Sequence, residues 1–137
     1  MREILFRGKD IKGIWHIGLL AHIGNAWYIS NKAGVTKAFE VIPETVGQYT
    51  GLTDKNGTKI FEGDVVTAPY IDPIFHSAWN EGNLTENTVV KYVDGMFYIE
   101  YVESKQKITL FGLLNGAEEA AVIGNIHDNP ELMKGAE

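Results

Sequence analysis

Short runs in which apolar and polar residues alternate occupy most of the first third of the chain. Alternation with period two puts apolar side chains on one face and is typical of β-strands. The runs are residues 2–7, 11–21, 27–30 and 39–42, with a turn expected at residues 8–10. The last run ends at Pro43, which has no N–H for a sheet ladder. The pattern predicts an N-terminal β-meander over residues 1–43.

Trp15 and Trp27 fall in the second and third of these runs. Large aromatic side chains are usually mostly buried, so we interpret both as core residues of the meander. The alternative is an exposed aromatic pair that stacks on a ligand.

The stretch from Gln48 to Val66 reads QYTGLTDKNGTKIFEGDVV and predicts a β-hairpin. Its Asn56-Gly57 pair is a strong hairpin signal that favours a type I′ turn, which requires positive φ at both central residues. Further turn residues at 62–64 precede a β-branched run that continues to Tyr70.

Residues 71–87 have no sustained period and read as a long insertion between two strands. Long loops are uncommon in compact domains and are often functional. The aromatic residues here predict a contact surface for a partner, because exposed aromatic side chains mark interfaces. The alternative is that they hold the loop on its own domain. The candidate contact residues are Tyr70, Phe75, His76 and Trp79.

The last third predicts a second hairpin and a short helix. Residues 88–93 and 96–102 flank Asp94-Gly95, another hairpin turn signal. Residues 122–126 form a last strand with a candidate glycine bulge. Asn129-Pro130 then suits a helix start, with Asn129 as the cap and Pro130 at the first helical position.

Three segments of the chain carry a resemblance to a known family. QYTGLTDKNGTKIFEGDVV, the later VIGNIHDNPELM and the opening MREILFRGKD together resemble the YopX family of phage and prophage proteins. The resemblance implies an SH3-like barrel over residues 44–137, with the variable insertion at 71–87. We therefore expect one mainly-β domain of residues 1–137, in which the N-terminal meander and the barrel are followed by a short C-terminal helix. The family implies no known activity.

Composition narrows the classes of function. The net charge of −6 disfavours a general phosphate-backbone binder, which needs clustered Lys and Arg. The chain has no cysteine, which excludes disulfides and thiolate chemistry. No apolar run approaches the roughly 18 residues of a membrane helix, and Arg2 and Arg7 interrupt any signal-peptide core. We expect a cytoplasmic location in a bacterial host and no membrane contact.

No catalytic, metal or cofactor site is predicted. His16 and His22 lie too far apart along one strand to share a metal ion. Asp54 and Asp64 are interpreted as turn residues that accept hydrogen bonds from local backbone amides, with a metal or acid–base role as the alternative. The sequence thus offers no positive support for an enzyme.

Two classes of function stay open. The first is a non-enzymatic phage or prophage protein that binds a host or phage protein, or assembles into a homo-oligomer. The alternative is a nucleic-acid-binding β-barrel protein of a phage, which rests on fold analogy alone and is disfavoured by the acidic charge.

Overall fold

A computed structural model describes residues 4–30, 38–69, 85–110 and 120–133. Over these residues the protein is mainly β, with eleven strands in two antiparallel sheets and little helix. The chain divides into two compact units, residues 1–51 and 52–137. The strand content confirms the prediction of a mainly-β fold. Among the described residues no helix is long and apolar enough to span a membrane.

The first unit contains the predicted meander. Its strands lie in the order β4-β3-β2-β1-β5, and each neighbouring pair is antiparallel. Strand β5 continues past the boundary at residue 51. The strands are β1 (Phe6–Lys9), β2 (Trp15–Ile23), β3 (Ala26–Ser30), β4 (Ala38–Val41) and β5 (Gly47–Thr53).

The first sheet curls, so that β1 and the end of β4 approach each other. The Ile42 N–H donates to the Lys9 carbonyl at 2.8 Å. Gly8 faces Val41 so closely that a Cβ at Gly8 would lie 2.8 Å from the Val41 side chain. Val41 and Ile29 are almost fully buried. The absence of a side chain at Gly8 is therefore what allows this close approach.

Six of the described strands begin in the second unit: β6 and the five that form a sheet in the order β10-β9-β8-β7-β11. Its core is an apolar cluster that includes Ile60, Val66, Val90, Ile99 and Tyr101. The strands are β6 (Lys59–Phe61), which follows β5 in the first hairpin, β7 (Asp64–Pro69), β8 (Thr85–Val93), β9 (Met96–Tyr101), β10 (Lys107–Thr109) and β11 (Ala121–Asn125).

Two finer features of the predicted fold are not confirmed. The strand order of each sheet is open over the described residues, so the strand pairing shows no closed SH3-like barrel. Pro130–Met133 forms a single 3-10 turn where a helix was expected. The predicted glycine bulge is confirmed, since the register of β11 against β7 shifts between Val122 and Gly124.

The two predicted Asx-Gly turns differ in the structure. Asp94 and Gly95 have φ of 53° and 81°, and Val93 pairs with Met96, as a two-residue type I′ turn requires. At Asn56-Gly57 the type I′ prediction is wrong, because Gly57 has a φ of 81° whereas Asn56 does not have positive φ.

Candidate functional site

The predicted partner-contact residues lie outside the described residues. Tyr70, Phe75, His76 and Trp79 all fall between residues 69 and 85. Their role as a contact surface stays a prediction. The described residues form two candidate sites, a groove and an exposed apolar surface, and both lie in the first unit.

The groove is open and has a volume of about 370 Å³. One wall is the turn between β1 and β2, which contributes Asp10, Ile11, Lys12 and Ile14. The other wall is β4, which contributes Ala38, Phe39 and Glu40, and His16 also lines the groove. Acidic, basic and apolar side chains therefore face the same opening.

Asp10 organises the turn on one side of this groove. Its Oδ1 accepts hydrogen bonds from the backbone N–H groups of Lys12 at 2.9 Å and Ile14 at 3.0 Å. The Gly13 N–H donates to the Asp10 carbonyl, and Gly13 has a φ of 87°. This is a type I turn followed by a left-handed glycine, one of the standard three-residue hairpin loops.

The second carboxylate oxygen of Asp10 contacts His16. His16 Nε2 lies 2.8 Å from Asp10 Oδ2, and the two side chains are only 11% and 16% exposed. The His16 hydrogen bond lowers the pKa of Asp10 below its ordinary value of 3.8, and the Ile14 N–H lowers it further. An ionised carboxylate only accepts hydrogen bonds, so Nε2 is the donor. The imidazole is also stacked on Phe39, with ring centroids 4.0 Å apart.

A carboxylate–imidazole pair can orient a general base, but nucleophilic catalysis needs a hydroxyl or thiol within hydrogen-bond reach. Among the described residues, the side chains that line the groove include no Ser, Thr, Tyr or Cys. In the part of the chain that the structure describes, no three His, Asp or Glu side chains cluster as metal ligands would.

Several large apolar side chains of the first unit are exposed. Ile11 is 89% exposed, Ile14 55% and Ile23 67%. Ile17 and Leu19 are also exposed and share with Ile23 the outer face of β2, because alternate residues of a strand point to the same side. These five residues are called the N-terminal apolar surface below.

The two tryptophans of the first unit are half-buried, so neither is a fully buried core residue. The Arg7 guanidinium lies over the Trp15 ring, 4.9 Å from its centroid. Trp27 stacks on His22 with ring centroids 4.0 Å apart. Both tryptophan rings therefore already have a contact partner within the first unit, Arg7 for Trp15 and His22 for Trp27.

The residues of the central motif hold backbone segments together. Asp54 Oδ1 accepts from the N–H groups of Asn56 and Thr58, and its Oδ2 accepts from Val122, 68 residues away, at 2.9 Å. Asp64 Oδ2 accepts from the Phe61 N–H at 2.8 Å. The interpretation of both aspartates as acceptors of backbone hydrogen bonds is confirmed.

Asp10 and Asp54 build the same hairpin turn. In both turns the aspartate Oδ1 accepts from the residues two and four positions later. The backbone N–H of the glycine three positions later donates to the aspartate carbonyl. The remaining oxygen differs, since it contacts the groove residue His16 in one case and the β11 amide of Val122 in the other.

The C-terminal motif is held by two asparagines. Asn125 Oδ1 accepts from the N–H groups of His127 and Asp128, at 3.0 and 2.9 Å. The Asn125 N–H in turn donates to Asn129 Oδ1. A Cβ at Gly124 would collide with the Asn129 side chain, so this contact requires glycine.

These observations define a class: a mainly-β protein whose conspicuous sequence motifs fix turns and strand ends. A family profile described as YopX protein matches residues 17–134. Because the match covers most of the chain, the protein belongs to the YopX family, as the motifs predicted.

Among solved structures, the crystal structure of protein EF1440 from Enterococcus faecalis is similar. It is 23% identical, the match covers 98% of this chain and 100% of that chain, and the TM-score is 0.58. At this identity the similarity shows the fold alone. Comparison with proteins of curated function gives no match.

The Asp10–His16 pair was not predicted from the sequence. The available signal was Asp10-Ile11-Lys12-Gly13, because Asp at the first and Gly at the fourth position favour a type I turn. Placing that turn would also have put His16 three residues after its last residue, Gly13, within reach of the carboxylate.

Proposed function

We propose that this protein is a phage- or prophage-encoded, non-enzymatic module that binds protein and assembles with itself in the host cytoplasm. The observation that carries the proposal is the exposure of the N-terminal apolar surface. Exposed apolar side chains are unfavourable in water, and on folded proteins groups of them commonly mark interaction sites.

Ile11 supports the proposal best because nothing in the local fold accounts for it. It occupies the second position of the four-residue turn Asp10–Gly13, where polar residues are usual, and the turn depends on Asp10 and Gly13. A side chain so exposed contributes little to folding. Its burial against another protein would remove apolar area from water.

The motif residues point in the same direction. Asp54, Asp64 and Asn125 bind backbone groups of their own unit, so the motifs that define the family are accounted for by the fold, and the groove and the N-terminal apolar surface are separate from them. The proposal includes a second contact region, formed by the predicted contact residues Tyr70, Phe75, His76 and Trp79. It also includes the SH3-like barrel that the family resemblance implies.

Nucleic-acid binding is not favoured. The net charge is −6, and Arg7 and Lys9 both lie near the Trp15 ring of their own unit. A single-strand binder needs a basic track with accessible rings on which bases stack.

Sedimentation of the purified protein over a concentration series tests the proposal. We expect reversible association that weakens in an Ile11→Thr/Ile14→Thr variant. Threonine keeps β-branching and therefore the backbone preference of the turn. Val93→Thr, an equally conservative change at a half-exposed residue of the second unit, is the control. A parent protein that is monomeric at all concentrations, or a control that weakens association equally, would overturn the proposal.

A further inference from the structure

The groove beside β4 is a candidate contact surface for a second copy of the chain. Resting on the self-assembly proposed above, we propose that two copies associate through their β4 edges in an antiparallel, two-fold arrangement. In this arrangement Lys12 of each copy pairs with Glu40 of the other.

Strand β4 lies at the end of the strand order. Among the described strands only β3 neighbours it. A strand at a sheet edge is a template for pairing with another chain, and natural proteins usually protect such edges. The groove runs along β4, because Ala38, Phe39 and Glu40 form one of its walls.

The curl of the sheet explains why the groove is there. The Lys9–Ile42 hydrogen bond and the Gly8–Val41 contact join β1 to the end of β4. Beyond that junction the turn containing Ile11 and Lys12 stands opposite β4 and does not pair with it. An added strand can therefore lie beside β4 with the turn next to it.

The charges of the groove are self-complementary. Lys12 is on the turn and Glu40 is on β4, and both side chains are exposed. Within the described part of the chain, neither side chain has an ion pair or a hydrogen bond. A two-fold contact repeats each interaction, so a Lys12–Glu40 contact between copies forms twice.

Apolar side chains surround the charged pair. Ile11 and Ile14 line the same groove and belong to the N-terminal apolar surface. A second copy in this position would cover them while the charges set the register. Electrostatic complementarity of this kind fixes orientation more than it adds affinity.

Charge reversal tests the arrangement. Lys12→Glu and Glu40→Lys each place like charges opposite one another in both halves of a homodimer. Since exposed ion pairs are weak, we expect each variant to associate about tenfold more weakly than the parent at low salt. Both substitutions are at exposed positions, and circular dichroism checks that the fold is retained.

The decisive sample is an equimolar mixture of the two variants. In a dimer with one copy of each, one half pairs the two introduced charges, which are again opposite in sign, and the other half keeps the native pair. Association should therefore return to the parental level. Restored association on mixing supports the proposal, because a contact within one chain cannot be repaired this way. A parent that associates while the mixture does not overturns this inference and leaves self-assembly standing, whereas a parent that stays monomeric overturns both.

Discussion

The Asp54 carboxylate is the strongest test of the claim that the central motif stabilises the fold. It is 7% exposed and accepts three backbone hydrogen bonds of 2.8–2.9 Å. Two of the donors, Asn56 and Thr58, are in the exposed turn, whereas Val122 is the second residue of strand β11 and is half-buried. Asp54→Ala leaves all three N–H groups without this acceptor.

The expected loss follows from how well each donor can be hydrated. Water can hydrogen-bond to the two turn amides in place of the carboxylate, so their loss of Asp54 costs little free energy of unfolding, whereas the Val122 amide is less accessible to water. With hydrogen bonds to charged groups contributing about 1.5–3 kcal/mol each and not adding fully, Asp54→Ala should lower the free energy of unfolding of the second unit by about 2–4 kcal/mol. Asp54→Asn retains one acceptor oxygen and should lose about 1–2 kcal/mol.

Hydrogen exchange followed by NMR measures this effect at the relevant amides. A loss of about 2–4 kcal/mol speeds exchange of amides that open by unfolding of the unit about 30- to 1,000-fold. Asp94→Asn is the control, because Asp94 lies exposed in a type I′ turn that suits Asn equally well, and it should change stability by less than about 0.5 kcal/mol. If Val122 in Asp54→Ala keeps the exchange rate of the parent, the proposed stabilisation by Asp54 is wrong.

The pH dependence gives a second readout for the same carboxylate. Burial raises the pKa of Asp54, but the N–H groups of Val122, Thr58 and Asn56 lower it more, so it lies below the ordinary value of 3.8. A pKa depressed by folding means that the unfolded chain binds the proton more tightly. The stabilisation is present above pH 3.8 and is lost as the pH falls through the folded-state value. The stability difference between parent and Asp54→Asn should therefore narrow below pH 3.8.

Two glycine contacts yield further predictions. Gly8→Ala places a methyl group 2.8 Å from the stiff Val41 side chain and should cost about 1–3 kcal/mol by chemical denaturation; a cost that is unchanged in a Val41→Ala background would contradict the steric explanation. Gly124→Ala forces Asn129 away from its contact with β11 and should also cost about 1–3 kcal/mol, most of which should disappear in an Asn129→Ala background.

Local turn chemistry could be predicted where the turn depends on its own residues. Asp94-Gly95 forms the expected type I′ turn because both residues tolerate positive φ. At Asn56-Gly57 the same rule failed. The Asp54 side chain accepts from the Asn56 and Thr58 amides, and this arrangement selects a type I turn with only Gly57 in the left-handed region.

The first turn lies later in the chain than predicted, because the Asp10 side chain accepts hydrogen bonds from the residues that follow it. A turn was expected at residues 8–10, but β1 continues to Lys9 and the turn starts at Asp10. The groove could not be predicted at all. It brings Asp10 and Lys12 opposite Glu40, which depends on the curl of a whole sheet and on the close approach of Gly8 to Val41.

The two Asp-x-x-Gly turns have the same local hydrogen bonds but differ in the contact that the second carboxylate oxygen makes. Each turn uses one carboxylate oxygen and leaves the other available. In Asp54 the remaining oxygen binds the Val122 amide and joins two segments of the second unit. In Asp10 it binds the His16 imidazole at the groove. Substitution of Asp54 should therefore change stability, whereas substitution at the groove wall, as in Lys12→Glu, should change association and leave the fold intact.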